Sequence, residues 1–565
     1  MTEKEFTELA NLLYPGTQDI SFYLNKYPNR HVAGEVTRLG PSPTGYLHIG
    51  QVYQSLIHRM LANSTNGIFY LRLEDTDNKR EVENAGVIAY DMLVNLGLTP
   101  DEGYRGKLPE IGNYGPYKQS ERIEIYNAFA RELVKRGRAF PCFCKDSENL
   151  EEIKRKREEE LNENDSLTDY DPCRTLTLEE IKENLKQGKK FALRLLSIGD
   201  STKTHEFVDA IKGKKELREN ARDDVLIKSN GIPVYAFAHV VDDTLMHTTI
   251  IVRGQEWYQS LPVHIELSRA FGFKPFKYAH TPNICVLDEN GNKRKISKRK
   301  DSFADVRFFL NKGYPINAII EYLLTLLNSD FELWRKNNPD LPYTKFPFSL
   351  KKIGVTNPLF DFMKLDNISK TIISRYTAGD VYDSAINWAH EWNKEDLKVL
   401  EENKDVLLKV LSIDRGGDRP RKDITYFSEI LSLYDYVLPN FKLAEANIDN
   451  LDKDNVKNFI NEYSKQFTQF ADNSEWFENL KQVASKFNFV DNKTYKQNPE
   501  MFAGNITDAS KLVRLAITGR TDSPNLFEIM KILGVNECET RLNDFIIKIY
   551  WYYDIIVLKK SLNII

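Results

Sequence analysis

Residues 37–50 read Thr-Arg-Leu-Gly-Pro-Ser-Pro-Thr-Gly-Tyr-Leu-His-Ile-Gly and predict a short strand that turns directly into a helix. Val36 and Thr37 lead in as a strand, and residues 51–62 follow with helical spacing. The prolines and glycines between them stiffen and tighten the turn. Such a turn presents backbone N–H groups and a helix N-terminus to an anion, and Gly50 lets a ligand approach the backbone closely. The stretch therefore indicates an α/β fold with an anion site at this turn.

The rest of the chain divides into an α/β part and a helical part. Residues 32–110 alternate strand-like and helix-like stretches, as a parallel α/β fold does. Between the two α/β portions lies a charged segment, Ser147 to Asp165, which we interpret as a solvated helix or loop. Further strands are predicted at Val234–Ala238 and Thr248–Val252, and helices near Leu261–Phe271, Ala318–Leu327, Asp396–Leu411 and Asn543–Leu558. From about Asp301 onward the pattern is helical almost to the end.

Composition limits what these patterns can mean. The chain has 565 residues, 41% of them hydrophobic, which predicts several folded domains rather than a disordered chain. No apolar run approaches the roughly 20 residues of a membrane span, and the acidic N-terminus lacks a secretory signal, so we expect a cytoplasmic protein with no membrane partner. The five cysteines are too scattered for a disulfide framework. With a net charge of −4, any nucleic acid would have to be held by local basic patches.

A second chemical segment lies at residues 293–300, Lys-Arg-Lys-Ile-Ser-Lys-Arg-Lys, where six of eight residues are cationic. Most such runs are solvated surface loops. The alternative is a mobile loop whose ammonium groups neutralise the charge that develops on a polyphosphate.

Together, in this order and at this separation, the two segments resemble the two signatures of class I aminoacyl-tRNA synthetases, in the form found in bacterial-type glutamyl-tRNA synthetases. Three further strings carry the same resemblance: Leu71–Asp77, Gly231–Asp243 and Ile251–Trp257. Two positions depart from the family's usual residues, Gln51 where His is frequent and His239 where several relatives have Asn. The resemblance covers roughly residues 32–560.

This resemblance implies an interrupted Rossmann-type catalytic domain with an inserted acceptor-binding domain, followed by an all-α anticodon-binding half. The expected boundaries are 1–31 for a helical N-terminal extension, 32–115 and 221–300 for the two halves of the catalytic domain, 116–220 for the insertion, 301–370 for a helical stem-contact domain, and 371–565 for the anticodon-binding region.

The resemblance also implies roles for individual residues. It assigns catalysis to His48, Gly50, Lys295 and Lys298. Glutamate binding falls to Arg38, Ser42, Glu74, Tyr235, His239 and Arg253. ATP binding falls to Gly40, Thr44, His48, Gly50, Glu256, Ile284, Lys295, Ser297 and Lys298. The expected reaction is ATP-dependent activation of L-glutamate to an adenylate, with Mg²⁺ on the phosphates, and transfer to the 3′-terminal adenosine of tRNA-Glu.

Two arginines around one side-chain pocket favour an acidic amino acid. A guanidinium fork matches two carboxylate oxygens, whereas a neutral amide would leave a guanidinium unpaired, at a cost of about 2–5 kcal/mol. Arg38 and Arg253 therefore favour glutamate over glutamine.

Three cysteines of the insertion raise the question of a metal. Some relatives bind zinc there through a Cys-x-Cys pair, a later Cys and a Tyr or His, and Cys142, Cys144, Cys173 and Tyr170 would be the matching set. The His that usually follows the last Cys by two residues is Thr175 here. Structural Zn²⁺ and three free thiols both remain open.

Three other functions remain as alternatives: a catalytically inactive synthetase-like RNA-binding protein, a short paralogue that glutamylates a modified tRNA base, and a glutaminyl-tRNA synthetase. The retained signature residues oppose the first, the long helical half opposes the second, and the two arginines oppose the third. We expect a monomer, and the sequence leaves open whether tRNA-Gln is charged besides tRNA-Glu.

Overall fold

The computed structural model describes residues 1–43, 45–76, 82–144, 171–439, 441–443, 448, 451–468 and 470–561, with side chains up to residue 549. The predicted charged segment Ser147 to Asp165 therefore lies outside the described residues. The chain divides into two compact units. Unit 1 comprises Met1–Phe308 and Ile320–Asp361, and unit 2 comprises Phe309–Ile319 and Phe362–Ile565.

Unit 1 is built on a mostly parallel sheet. Its first half contains β1 (Val36–Leu39), β2 (Ile68–Leu71), β3 (Glu102–Arg105) and β4 (Leu108–Ile111) in that order, with only β4 antiparallel. All four residues of β1 are buried, as expected of a parallel strand covered on both faces. The helices α3 (Ile49–Thr65) and α4 (Ala85–Asn95) make the connections.

The second half of the sheet begins beside β1. The backbone N–H of Thr249 donates to the carbonyl of Val36 over 2.9 Å, next to the start of β10 (Ile250–Gly254). Strand β10 pairs in parallel with β11 (Lys277–Thr281), which pairs with β7 (Thr204–Asp209), and β8 (Gly213–Arg218) closes that edge. The strands that follow β1 in the sheet are therefore added on one side of it, and the strands that follow β10 in the sheet are added on the opposite side. Ligands bind at such a switch point, outside the carboxyl ends of the strands.

The segment between the two halves forms its own antiparallel sheet, from β5 (Ala139–Cys142), β6 (Ala192–Leu195) and β9 (Val225–Ile227). The helix α5 (Ile123–Lys135) precedes it, and α6 (Leu178–Lys186) lies between β5 and β6.

The N-terminal residues are helical, as predicted, in α1 (Glu3–Leu13) and α2 (Ile20–Lys26). They join a hydrophobic core that also contains residues of α5. The Tyr27 hydroxyl donates to the carbonyl of Gly115 over 2.7 Å, and Arg131 of α5 contacts Asp19 over 2.9 Å. The extension is thus an integral part of unit 1.

One strand prediction was wrong. Residues from Tyr235 form the helix α7 (Tyr235–Leu245), and only Val234 keeps extended backbone, at its N-cap. Seven consecutive residues from Phe237 to Asp243 are buried, so the helix has no solvent face to impose a period of 3.6 on the sequence. An apolar run without that period looks like a strand.

Several other predicted elements are confirmed with shifted ends, among them the helix α8 (Leu261–Ala270) and the strand β10. The remaining elements of unit 1 include the hairpin β12 (Cys285–Leu287) with β13 (Lys293–Lys295), which carries the cationic segment. The helices α9 (Arg307–Lys312) and α10 (Ile316–Leu327) follow and each has residues in both units, whereas α11 (Asp330–Asn337) belongs to unit 1.

In the parts of unit 2 that the structure describes, the regular elements are helical apart from the two-residue strands β14 (Phe489–Val490) and β15 (Gly504–Asn505). Its helices are α12 (Phe362–Ile373), α13 (Ala378–Trp392), α14 (Lys394–Glu402), α15 (Lys404–Ser412), α16 (Ile430–Leu433), α17 (Lys453–Gln466), α18 (Asn473–Ser485), α19 (Asn492–Gln497), α20 (Ile506–Thr518), α21 (Leu526–Leu533) and α22 (Val535–Ser561). The single helix predicted over Asp396–Leu411 is broken at Asn403, which leaves helical geometry at φ −115°. Within the described stretches, no helix combines the length and apolar character needed to cross a bilayer.

Candidate active site

A cavity of about 490 Å³ opens at the carboxyl ends of β1 and β10, at the switch point of the sheet. Among the residues predicted to bind glutamate, five line it: Arg38, Ser42, Glu74, Tyr235 and Arg253. Gly40, Gln51, Gln54, Gln119, Lys228 and Trp257 also contribute to its wall. The two arginines expected to select the substrate therefore reach the same cavity from neighbouring strands.

Arg38 belongs to a buried network whose charges cancel. Its Nε donates to both carboxylate oxygens of Asp243 over 3.1 and 3.2 Å. Asp243 also accepts from Arg72 over 2.8 Å, and Arg72 donates to Glu74 over 2.9 Å. Burial alone would raise the pKa of the Asp243 carboxyl, but Arg38 and Arg72 hold that pKa well below its usual value.

The network ends in the inserted segment. Asp242 accepts from Arg122 over 2.7 Å, from Gln119 over 2.8 Å and from the Tyr126 hydroxyl over 2.8 Å. Arg72 lies 3.7 Å from Asp242 and so joins the two carboxylates. Three guanidiniums (Arg38, Arg72, Arg122) therefore face three carboxylates (Glu74, Asp242, Asp243), all buried, and the cluster carries no net charge.

Arg253 differs, because its partners are neutral. It donates from Nε to His280 Nε2 over 3.0 Å, from one terminal nitrogen to His264 Nδ1 over 3.1 Å, and from the other to the Trp257 carbonyl over 3.1 Å. The arginine is buried, and among the described residues no carboxylate forms an ion pair with it. A guanidinium has five N–H groups, so one on each terminal nitrogen remains to bind a carboxylate.

The imidazoles near Arg253 do not add positive charge at neutral pH. Burial lowers the pKa of His239 to about 4, against the opposing effect of Asp243. Burial also lowers the pKa of His264 and of His280. The cavity therefore presents one guanidinium with no carboxylate of its own, an arrangement that attracts an anion.

Glu74 and Tyr235 occupy the expected wall. The strand end at Gly40 lies against the Glu74 carboxylate, since a Cβ at Gly40 would stand 2.2 Å from Glu74 Oε1. Burial raises the pKa of Glu74, although Arg72 and Arg38 oppose that effect. The Tyr235 ring lies 4.6 Å from that of Trp257 and stacks on His239 at 5.5 Å.

His239 was predicted to contact glutamate, and the structure places it among the buried residues packed against Arg38. It is completely buried behind Arg38, with Nδ1 3.3 Å from the guanidinium and Nε2 3.3 Å from the Tyr278 hydroxyl. Its ring also contacts the Asp243 carboxylate. The side chain supports Arg38 and does not form part of the cavity wall described above.

A second cavity, of about 500 Å³, adjoins the first and shares Gly40, Ser42, Gln51, Gln54 and Trp257 with it. Its wall contains the residues predicted to bind ATP that the structure describes: Gly40, His48, Gly50, Glu256, Ile284, Lys295, Ser297 and Lys298. The remaining one, Thr44, lies outside the described residues. The turn and the cationic loop, about 245 residues apart, thus meet at one cavity.

His48 is the N-cap of α3, and this fixes its ring. Its Nδ1 accepts the Gly50 N–H over 2.9 Å, so the neutral ring carries its proton on Nε2. Burial, Lys298 and Lys295 lower the pKa of His48 to about 4. The Gln51 side chain completes the cap by accepting the His48 N–H over 2.9 Å. The departure at Gln51 thus has a structural role at the turn.

The cationic loop is held by Asp301, which lies just beyond it. Arg294 donates twice to that carboxylate over 2.7 Å, and the Ser297 N–H donates to it over 2.9 Å. Lys295 contacts Glu256 over 2.5 Å, and Lys298 donates to the Tyr46 carbonyl. Both ammonium groups therefore stand beside the turn that holds His48.

Several wall residues were not predicted from the sequence. Gln54 lies one helical turn after Gly50, and Trp257 directly follows Glu256. Either could have been found from the helical and turn spacing around the quoted strings. Asp209, His264 and His280, which surround or support Arg253, lie outside every motif and had no sequence signal.

A candidate metal site lies apart from these cavities, in the inserted segment. One ligand atom from each of Cys142, Cys144, Asp171 and Cys173 lies within 4.8 Å of the others. The Cys144 and Cys173 sulfurs are 3.4 Å apart, and Cys142 Sγ is 3.3 Å from Asp171 Oδ2. Tetrahedral zinc with Zn–S near 2.3 Å places its ligands about 3.8 Å apart. The described donor set thus fits zinc. Tyr170, the expected fourth ligand, lies outside the described residues.

We expect the purified protein to carry about one zinc per chain, measured by plasma mass spectrometry. Cys173→Ser should lose most of it, because three thiolates then become two, and Cys538→Ser in unit 2 should retain it. Asp171→Asn is expected to lower zinc content more than Tyr170→Phe. Full zinc retention in both Cys173→Ser and Asp171→Asn would contradict the site.

Two buried histidines predict how stability depends on pH. Burial lowers the pKa of His58 to about 3 and that of His239 to about 4. Below the unfolded value near 6.5 the unfolded chain binds more protons than the folded chain, so stability falls as pH falls toward 4. Each histidine contributes up to about 1.4 kcal/mol per pH unit. Urea unfolding at about pH 7 and pH 5 should show the loss, and His58→Gln should reduce it. A stability that is the same at both pH values would refute the assignment.

The sheet with its switch-point cavity, the helix cap at His48 and the Lys295–Lys298 loop together define a class I aminoacyl-tRNA synthetase. Residues 35–332 match the family described as class I tRNA synthetases (E and Q), catalytic domain, and residues 419–546 match an anticodon binding domain. The glutamate–tRNA ligase of Acetivibrio thermocellus is 41% identical over 547 residues, which cover 95% of this chain and 99% of that protein. The corresponding ligase of Clostridium perfringens is 39% identical over 550 residues, 96% of this chain and 99% of the relative. The chain belongs to the glutamate–tRNA ligase family.

A solved structure shares the fold. The glutamate tRNA ligase of Elizabethkingia meningosepticum, crystallised in complex with its amino acid, superposes with a TM-score of 0.71 at 23% identity. The match covers 91% of this chain and all of that one.

Proposed function

We propose that this chain activates L-glutamate with ATP and transfers it to the 3′-terminal adenosine of tRNA-Glu. The observation that carries the proposal is Arg253, a buried guanidinium with two uncommitted N–H groups at a cavity that adjoins the predicted ATP cavity. The family membership supports the same reaction.

In this proposal the glutamate side-chain carboxylate binds Arg253 and neutralises it. Glu74 accepts the α-ammonium group, a charge-assisted contact, while Tyr235 and Ser42 complete the hydrogen bonds. Arg38 contributes to the electrostatic potential of the cavity and to the shape of its wall. It does not pair with the substrate carboxylate, because Asp243 already balances its charge. Glutamine would leave Arg253 with an uncompensated charge, which opposes its binding.

The activation step needs positioning and charge stabilisation, and it needs no nucleophilic side chain. A glutamate α-carboxylate oxygen attacks the α-phosphorus of magnesium-bound ATP, and the bond to pyrophosphate breaks. We assign the His48 Nε2–H and the Lys295 and Lys298 ammonium groups to the phosphates, where negative charge develops. The terminal ribose hydroxyl of tRNA then attacks the adenylate carbonyl, and AMP leaves.

For the tRNA, we propose the division expected from the sequence. Residues 116–220 would bind the acceptor end, 301–370 the stem and 371–565 the anticodon, and the matched anticodon binding domain at 419–546 supports the last of these. We further propose a monomer that works in the cytoplasm, where tRNA is charged for translation. Zinc, if held by the four residues described above, would be structural, because such a closed set leaves no open position.

The decisive experiment is aminoacylation of purified tRNA-Glu and tRNA-Gln with labelled glutamate and labelled glutamine, together with ATP–pyrophosphate exchange in the presence of tRNA. Charging of tRNA-Glu with glutamate is the expected result, and added charging of tRNA-Gln would define a broader tRNA range. Preferential charging with glutamine would favour the glutaminyl enzyme. Tight tRNA binding without exchange would favour an inactive RNA-binding protein.

A further inference from the structure

A chain of hydrogen bonds lies behind Arg253, on the side away from its uncommitted N–H groups. His280 Nε2 accepts the Arg253 Nε–H over 3.0 Å, and His280 Nδ1 contacts Asp209 Oδ2 over 2.6 Å. All three side chains are buried, at 4%, 0% and 1% exposure in the order Arg253, His280, Asp209. We call these three residues the Asp209 relay; Arg253 belongs to the Ile251–Trp257 string, whereas Asp209 and His280 lie outside every motif.

The sheet aligns the relay. Arg253 and His280 are paired in the register of β10 and β11, and Asp209 ends β7 on the other side of β11. The Asp209 carboxylate is fixed by the backbone N–H groups of Ile211 and Lys212, both at 2.9 Å, and of His280 at 3.1 Å. It therefore cannot swing away from the imidazole without losing three hydrogen bonds.

The position of the imidazole proton follows from this arrangement. An ionised carboxylate only accepts, so the neutral His280 ring places its proton on Nδ1, toward Asp209. Nε2 is then a lone-pair acceptor for the Arg253 Nε–H. In the other tautomer, Nε2–H and Nε–H would point at each other and push the guanidinium out of place. Asp209 thus excludes the tautomer that would misorient Arg253.

We propose that Asp209 and His280 are positioning residues for glutamate selection: they orient the Arg253 fork toward the substrate carboxylate. This inference rests on the proposed function. Because a neutral ring separates Asp209 from the guanidinium, the carboxylate orients Arg253 without pairing with it directly, and the two remaining N–H groups stay available to substrate. His264 and the Trp257 carbonyl complete the orientation from the other nitrogens.

The test measures tRNA-dependent ATP–pyrophosphate exchange for Asp209→Asn, His280→Leu and His280→Gln. Asp209→Asn and His280→Leu should raise the KM for glutamate about ten- to a hundred-fold, by analogy with the loss of outer-shell partners that orient metal-binding side chains. The KM for ATP should change less than about two-fold, since the second cavity contains none of the three relay residues in its described wall. His280→Gln should recover much of the loss, because its amide oxygen can accept from Arg253.

Glu216→Gln, at an exposed position on β8 of the same sheet, serves as the matched control and should leave both KM values unchanged. An unchanged KM for glutamate in folded Asp209→Asn and His280→Leu would overturn the proposal. Equal increases in both KM values would also overturn it, because they indicate a general structural role. A wild-type protein that catalyses no exchange would instead refute the proposed function, so the two failures are distinguishable.

Discussion

Replacing Arg253 with glutamine is expected to reduce kcat/KM for glutamate by about 30-fold to several thousand-fold, corresponding to about 2–5 kcal/mol for the loss of one partner of a buried charge pair. Arg253 reaches the cavity with two uncommitted N–H groups, and among the described residues no carboxylate pairs with it. We therefore expect the substrate carboxylate to meet its main counter-charge there. An amide in its place neither neutralises that charge nor forms a two-bond fork.

The measurement is tRNA-dependent pyrophosphate exchange with glutamate and with glutamine as competing amino acids. We expect the preference for glutamate to fall together with the affinity, while the KM for ATP changes little. Arg136→Lys is a suitable control, since Arg136 forms a half-exposed ion pair with Glu132 on α5. An Arg253→Gln enzyme that still strongly prefers glutamate would show that selection resides elsewhere.

Replacing Asp243 with asparagine is expected to destabilise unit 1 by about 3–5 kcal/mol, because it leaves buried guanidiniums without a counter-charge. Asp243 contacts Arg38 and Arg72 over 3.1 and 2.8 Å and also accepts from the hydroxyls of Tyr70 and Thr248. With its carboxylate gone, three guanidiniums face two carboxylates in a largely buried site. The amide can keep some hydrogen bonds but not the charge.

Peptide-level hydrogen exchange in increasing urea would report this loss for unit 1 separately from unit 2. Peptides from β1 and α7 should lose protection at a lower urea concentration in Asp243→Asn. The control is Glu132→Gln, which removes a surface pair and should cost less than about 1 kcal/mol. Equal midpoints for Asp243→Asn and Glu132→Gln would contradict the network as a source of stability.

Much of the fold was accessible from local patterns. The turn at residues 37–50 connects β1 to α3 as predicted, because glycine and proline restrict backbone geometry over a few residues. The errors arose where the local pattern was missing or misleading. The helix α7 is buried along Phe237–Asp243 and was interpreted as a strand, and Asn403 interrupts a helix whose apolar spacing continues on both sides.

The two cavities show the same division. The residues predicted to bind substrate lie in compact motifs, and Arg38, Glu74, His48 and Lys295 among them line the two cavities. The buried residues that hold these side chains in place could not be named in advance. Asp242 and Asp243 end the Gly231–Asp243 string but received no predicted role, and both are completely buried. His239 matched a motif position but supports Arg38 from behind.

The sequence by itself determined which chemical groups are present, the strand-to-helix turn and the order of the α/β segments, since these depend on neighbours within a few residues. Only the tertiary structure decided which charges cancel. Arg38 meets Asp243 across 205 residues, and Arg253 meets His280 across 27. Whether an arginine is neutralised or left to bind substrate depends on which side chains packing brings within about 3 Å of it, and no local pattern encodes those distances.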